Sequence, residues 1–134
     1  AALDMTRALL SEEGYEDKFG GSMHQQTAVQ YELEMLEAEL EAARLLVYKS
    51  AWMMDNKMPN SKEASMGKAK AGRIGNRISL KCVEICSMQG FSEEHLLEKF
   101  SRDSKILDIF EGTQQIQQLI VARQVLGKSS SDLK

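Results

Sequence analysis

From about Gln25 to Asp55 the chain carries Val29, Leu33, Leu36, Leu40, Ala43 and Val47, apolar residues spaced alternately four and three apart. That period puts them on one face of a helix, and sustained over such a length it makes the seam of a helical bundle. No stretch shows the strict alternation of a half-buried strand, and the only proline is Pro59. The chain therefore reads as all-α. A second stripe on the same segment, Met35, Ala38, Ala42, Leu45, Tyr48 and Trp52, widens the apolar face beyond the need of one partner. This helix is expected to touch several neighbours or another subunit.

Four further helical segments are expected around it. The first runs to about Glu13 and ends at Gly14, before a loop containing Gly20 and Gly21. Asn60 reads as an N-cap, with Glu63 placed to reach back, for a helix that continues to about Met88. Gly67, Ala69, Ala71, Gly72 and Gly75 leave little side chain on its first half, so another backbone can approach closely; Ile74, Ile78, Cys82 and Ile85 extend the core stripe. Ser92 reads as the N-cap of a short helix ending near Lys105 to Asp108. Thr113 reads as the N-cap of a last helix, with Ile116, Leu119, Ile120 and Leu126 facing inward and Gly127 stopping it.

At 134 residues with 43% apolar content the chain fits one domain. Its net charge of -3, without a block of Lys and Arg, lacks the footprint of a nucleic-acid binder. No run is long and apolar enough for a membrane span, and no signal-peptide order opens the chain, so a soluble, cytoplasmic protein is expected. Cys82 and Cys86 read as small buried side chains in a reducing compartment. The acids of the long helix, Glu32, Glu34, Glu37, Glu39 and Glu41, do not suggest a metal site, because neither His24 nor His95 follows a Glu by three residues. The opening "AALDMTRALL" begins inside an amphipathic pattern, as expected of a piece of a longer protein.

One acid stands apart. In "SKILDIFEGTQQIQQLIVARQVLGK" Glu111 follows Ile109-Phe110 and precedes Gly112, between two helices. The coming helix N-terminus favours its ionised form, whereas the apolar neighbours would desolvate it and raise its pKa. Such a poised carboxylate suits proton abstraction beside a carbonyl, with Gly112 allowing a close backbone approach to a ligand. Spacing alone is served better by a plainer reading, a solvated acid and an ordinary turn glycine.

The run Phe110, Glu111, Gly112, Thr113, Gln114, Gln115, Ile116 and Gln117, followed by Leu119 to Arg123, closely resembles the C-terminal signature of the acyl-CoA dehydrogenase family. The likeness continues through Arg102-Asp103, Glu98-Lys99, Gly90-Phe91, Asn76, Ala71-Gly72, Lys68-Ala69, Asp55 and Ala51-Trp52. It implies a four-helix bundle, the C-terminal domain of an enzyme whose N-terminal helical and middle β domains are not in this chain. By the resemblance Glu111 is the base that removes the α-proton of an acyl-CoA while a hydride leaves to FAD. Its backbone N–H would help polarise the thioester oxygen. Phe110 and Gly112 would meet the substrate; Thr113, Gln115 and Phe19 would meet the flavin. The resemblance also implies an electron-accepting flavoprotein partner, a homo-oligomer built through the bundle, and the mitochondrial matrix if the source is eukaryotic.

This chain departs from the family pattern at the flavin contacts across the subunit interface. Glu16 stands where the family has Arg before Phe19-Gly20, Gln26-Thr27 replace a His-Gln pair, and Glu84 with Ser87-Met88-Gln89-Gly90 replaces Gln and a Gly-Gly-x-Gly turn. An acid near a pyrophosphate costs binding unless a cation compensates. The alternative is a non-catalytic member kept as an oligomerisation or scaffold module.

Overall fold

A computed structural model of the chain describes residues 1–15 and 26–132. Among these, five α-helices follow in order: α1 (Ala2–Glu12), α2 (Ala28–Asp55), α3 (Ser61–Phe91), α4 (Leu97–Ile106) and α5 (Gln114–Leu126), with a 3-10 turn at Ser130–Asp132. No strand occurs among the described residues. α3 is the axis of the bundle and packs against each of the other four helices.

The expected seams of α2 and α3 supply part of the core, although Val47, at the far end of the α2 seam, is 43% exposed. Leu33 and Leu36 of α2 are buried with Ile74, Ile78 and Cys82 of α3, Leu3, Leu9 and Leu10 of α1 and Leu97 of α4. Apolar side chains taken from water on four helices at once supply the main force holding them together. Cys82 and Cys86 are free thiols inside this core. Burial pushes both above their ordinary value of 9.0, with the Thr6 hydroxyl opposing that rise in part. The acids of α2 pair outward: Glu37 with Arg7 of α1 at 2.9 Å and Glu39 with Arg77 of α3 at 2.6 Å. Such surface pairs fix register more than they stabilise.

The helix ends separate local signals from tertiary ones. Gly14 (φ 84) and Gly127 (φ 62) terminate α1 and α5 in left-handed geometry, as expected. Thr113 caps α5, its Oγ1 accepting from Ile116 N–H at 3.4 Å. α2 is capped by Thr27, whose Oγ1 accepts from Gln30 N–H at 3.1 Å; the earlier start read at Gln25 lies outside the described residues. Asn60 precedes α3 but makes no side-chain cap. Its amide instead donates to Ser50 O at 3.0 Å, tying the α2–α3 turn to α2. Ser92 accepts from Glu94 N–H at 3.2 Å within a turn, and α4 begins later, at Leu97.

Two larger differences concern α3 and α5. Near the expected end of α3, Ser87 takes φ 49 and ψ -124, and the helix kinks there before resuming to Phe91. Gly90 explains the tight return: a Cβ on it would stand 2.4 Å from Val83 O. A non-glycine residue in Ser87's conformation is strained by about 1–3 kcal/mol. Ser87→Gly is therefore expected to raise stability by about 1 kcal/mol, after the entropic cost of glycine, as an increased urea midpoint at constant slope; an unchanged or lowered midpoint would mean the kink costs nothing.

α5 has no buried residue. Ile116, Leu119 and Leu126, expected to face inward, are 50%, 42% and 69% exposed. The helix leans on α3, and among the described residues the rest of its apolar surface stays exposed. The second stripe of α2 is likewise bare, with Met35, Leu45, Tyr48 and Trp52 all exposed.

Candidate active site

The connection from α4 to α5 places Glu111. Ile109 N–H and Phe110 N–H both donate to Ile106 O at 3.0 Å, carrying the chain past the end of α4 in tight turns. It then reverses through two successive residues of positive φ, Glu111 at 54° and Gly112 at 94°. Glycine takes such an angle freely, whereas glutamate does so only when its surroundings impose it. Gln114 N–H closes the reversal on Asp108 O at 3.2 Å.

Two side chains outside the turn bond its backbone carbonyls. From α3, the Lys68 ammonium donates to Leu107 O at 3.0 Å and to Gly112 O at 2.8 Å, bridging the two ends of the reversal. It also stands 5.8 Å from the centre of the Phe110 ring, within reach of a cation–π attraction. From α5, Gln117 Nε2 donates to Glu111 O at 3.2 Å. That amide occupies the space beside Gly112, where a Cβ would come within 2.8 Å of it. Gly72 on α3 completes the seat, because a Cβ there would stand 2.7 Å from Leu107 O.

Phe110, Glu111, Gly112 and Thr113 thus form one continuous surface at the start of α5, with the exposed Gln115 in its first turn. Thr113 accepts the Ile116 N–H and keeps its hydroxyl proton to donate. Glu111 is exposed, and Ile109 and Phe110 are themselves 49% and 46% exposed. Among the described residues, the two apolar neighbours expected to cover Glu111 leave it open. Phe19 lies outside the described residues, as do Glu16 and Gly20.

Lys68 and Gln117 were not singled out from sequence for any role at the turn. Both lie within the matching motifs, but a lysine in a small-residue stretch and a glutamine in a helix carry no sign of what they hold. Among the departing positions, Glu84 is paired: the Lys81 ammonium lies 2.5 Å from its carboxylate and is itself raised above its ordinary 10.5 by that contact. The acid is therefore charge-compensated where it stands.

Comparison with known proteins bears on the family and the fold. The family described as acyl-CoA dehydrogenase, C-terminal domain, matches residues 2–126. The chain is 39% identical over 111 residues to the caffeyl-CoA reductase-Etf complex subunit CarC of Acetobacterium woodii, covering 83% of this chain and 29% of that protein. It is 37% identical over 108 residues to the mitochondrial short-chain specific acyl-CoA dehydrogenase of Bos taurus, covering 81% of this chain and 26% of that protein. Among solved structures, butyryl-CoA dehydrogenase from Megasphaera elsdenii superimposes with a TM-score of 0.74 at 29% identity, over 93% of this chain and 34% of that one. The chain spans less than a third of the length of these two curated relatives. With residues 2–126 of its 134 matched by that family's domain, the chain belongs to the acyl-CoA dehydrogenase family and carries its C-terminal helical domain.

Proposed function

We propose that this chain is the C-terminal bundle of a longer FAD-dependent acyl-CoA dehydrogenase, completed by an N-terminal helical and a middle β domain, and that Glu111 is its catalytic base. The observation that carries the reading is the strained backbone of Glu111, held at φ 54 by Lys68 and Gln117 at an exposed turn. Strain of that kind persists where the fold over-determines it, and it fixes the backbone from which the carboxylate extends.

An α-C–H beside a thioester is weakly acidic, so its base must be near, oriented and shielded from water. Glu111 supplies the acceptor and the reversal supplies the orientation. Ile106, Leu107, Ile109 and Phe110, which precede it in the chain, are exposed apolar side chains, suited to an acyl chain and to the domain that would close over it. The donors at the start of α5 fit a flavin nucleotide: Thr113 retains a hydroxyl proton and Gln115 an exposed amide. FAD, when bound, supplies the acceptor for the β-hydride. The Glu111 carboxylate takes the α-proton, and its backbone N–H is available to polarise the thioester oxygen as negative charge develops there.

The bare faces of α5 and α2 are assigned to further copies of the chain, giving a homo-oligomer. An electron-accepting flavoprotein is the proposed redox partner, supported by the Acetobacterium woodii relative being a subunit of a reductase-Etf complex. The compartment proposed is the cytoplasm, or the mitochondrial matrix in a eukaryote. Ser87 and Met88, standing where the family has glycines, favour a second reading, a scaffold-like member that has lost its flavin.

Full-length protein purified without added cofactor decides between them. Bound flavin, seen in its absorption spectrum and bleached by acyl-CoA of some chain length, is the expected result. Absence of both flavin and bleaching would leave the scaffold reading.

A further inference from the structure

We infer that Lys68 is a positioning residue for the base, holding Glu111 in its working conformation through the backbone on both sides of it. This rests on the reading of Glu111 as the base and adds a residue to that site.

The two carbonyls that Lys68 holds, Leu107 O and Gly112 O, flank the whole reversal. Leu107 is the C-cap of α4, where carbonyls lack helical partners and a cation is favoured. An ammonium has three donors and no acceptor, so one lysine can satisfy both oxygens and still face the Phe110 ring. The contact belongs to a stripe on α3 with one residue per turn. Lys68 takes the two carbonyls, Gly72 admits Leu107 O, and Asn76 Nδ2 donates to Ser104 Oγ at 3.3 Å. α3 is the helix against which the other four pack, and Lys68 ties the turn to it.

Removing the ammonium frees both ends of a reversal that glutamate adopts only under constraint. Gln117 then holds Glu111 O alone, and the backbone can relax to negative φ, turning the carboxylate away. A displacement of about 1 Å at a reacting group costs on the order of a hundredfold in rate.

The test uses the full-length flavoprotein with butyryl-CoA, or the shortest acyl-CoA that bleaches it, and the rate of flavin reduction per bound flavin at saturating substrate. Lys68→Met is expected to slow reduction about tenfold or more with KM and flavin content near the parent's. Lys68→Arg, which keeps the charge and paired donors, is expected to recover most of the rate. A purely structural role would instead lower flavin content and thermal midpoint and leave the rate per bound flavin unchanged. If Lys68→Met does not accumulate, Lys68→Gln takes its place, with an intermediate loss expected. A parent-like rate per flavin in the Met or Gln variant, beside an inactive Glu111→Gln, overturns the inference and spares the base. A parent-like rate in Glu111→Gln overturns the base, and the role of Lys68 with it.

Discussion

Glu111→Gln is expected to slow flavin reduction by acyl-CoA about 10²–10⁴-fold, the usual contribution of a positioned acid or base, while leaving the flavin bound. The substitution is nearly isosteric and leaves the backbone of the reversal intact. Gln117 bonds the carbonyl of residue 111, and Lys68 bonds the carbonyls of Leu107 and Gly112; none of these contacts uses the Glu111 side chain. The N–H of residue 111 is also retained. What the variant loses is the capacity to accept a proton. Stopped-flow absorbance gives the rate, and the spectrum before mixing gives the flavin content. A rate within a few-fold of the parent would place the base on another residue, and loss of flavin in the variant would make Glu111 a binding residue.

The helices were legible because a 3.6-residue period needs no knowledge of the fold. Leu33, Leu36, Ile74, Ile78 and Cys82 lie where the pattern puts them. Glycine stops were legible for a similar reason, since a left-handed end is a property of the residue itself. Caps were legible only where no remote group competed. Thr113 had its own helix to cap, whereas the Asn60 amide was taken by Ser50 O across the turn. Periodicity also cannot say whether the partner of an apolar face is in the same chain, which is why α5 read as inward-facing and is bare. The kink at Ser87 was hidden because serine in a helical run gives no sign of positive φ. At the site, the acid and its glycine were visible in a contiguous motif. Lys68 was not, because the carbonyls it holds are 39 and 44 residues further along the chain.

Gly72→Ala is expected to destabilise the domain by about 1–3 kcal/mol, the range for overpacking a well-filled site, although alanine is the better helix former by about 1 kcal/mol. The new Cβ would stand 2.7 Å from Leu107 O, 3.2 Å from Leu107 C and 3.3 Å from Asp108 Cα. All three are backbone atoms, so no rotamer change relieves the clash; the connection must move off α3. Lys68 would then lose its hold on Leu107 O, and reduction in the flavoprotein should slow as it does in Lys68→Met. Gly75→Ala is the control one turn away on the same helix. Among the described residues its Cβ would meet only Leu107 Cδ1, at 3.9 Å, so helix propensity should dominate and the variant should gain about 0.5–1 kcal/mol. Urea unfolding of the two variants beside the parent should give midpoints shifted in opposite directions. If both shift upward, the connection yields to the new methyl group, and α3 does not fix the position of Glu111.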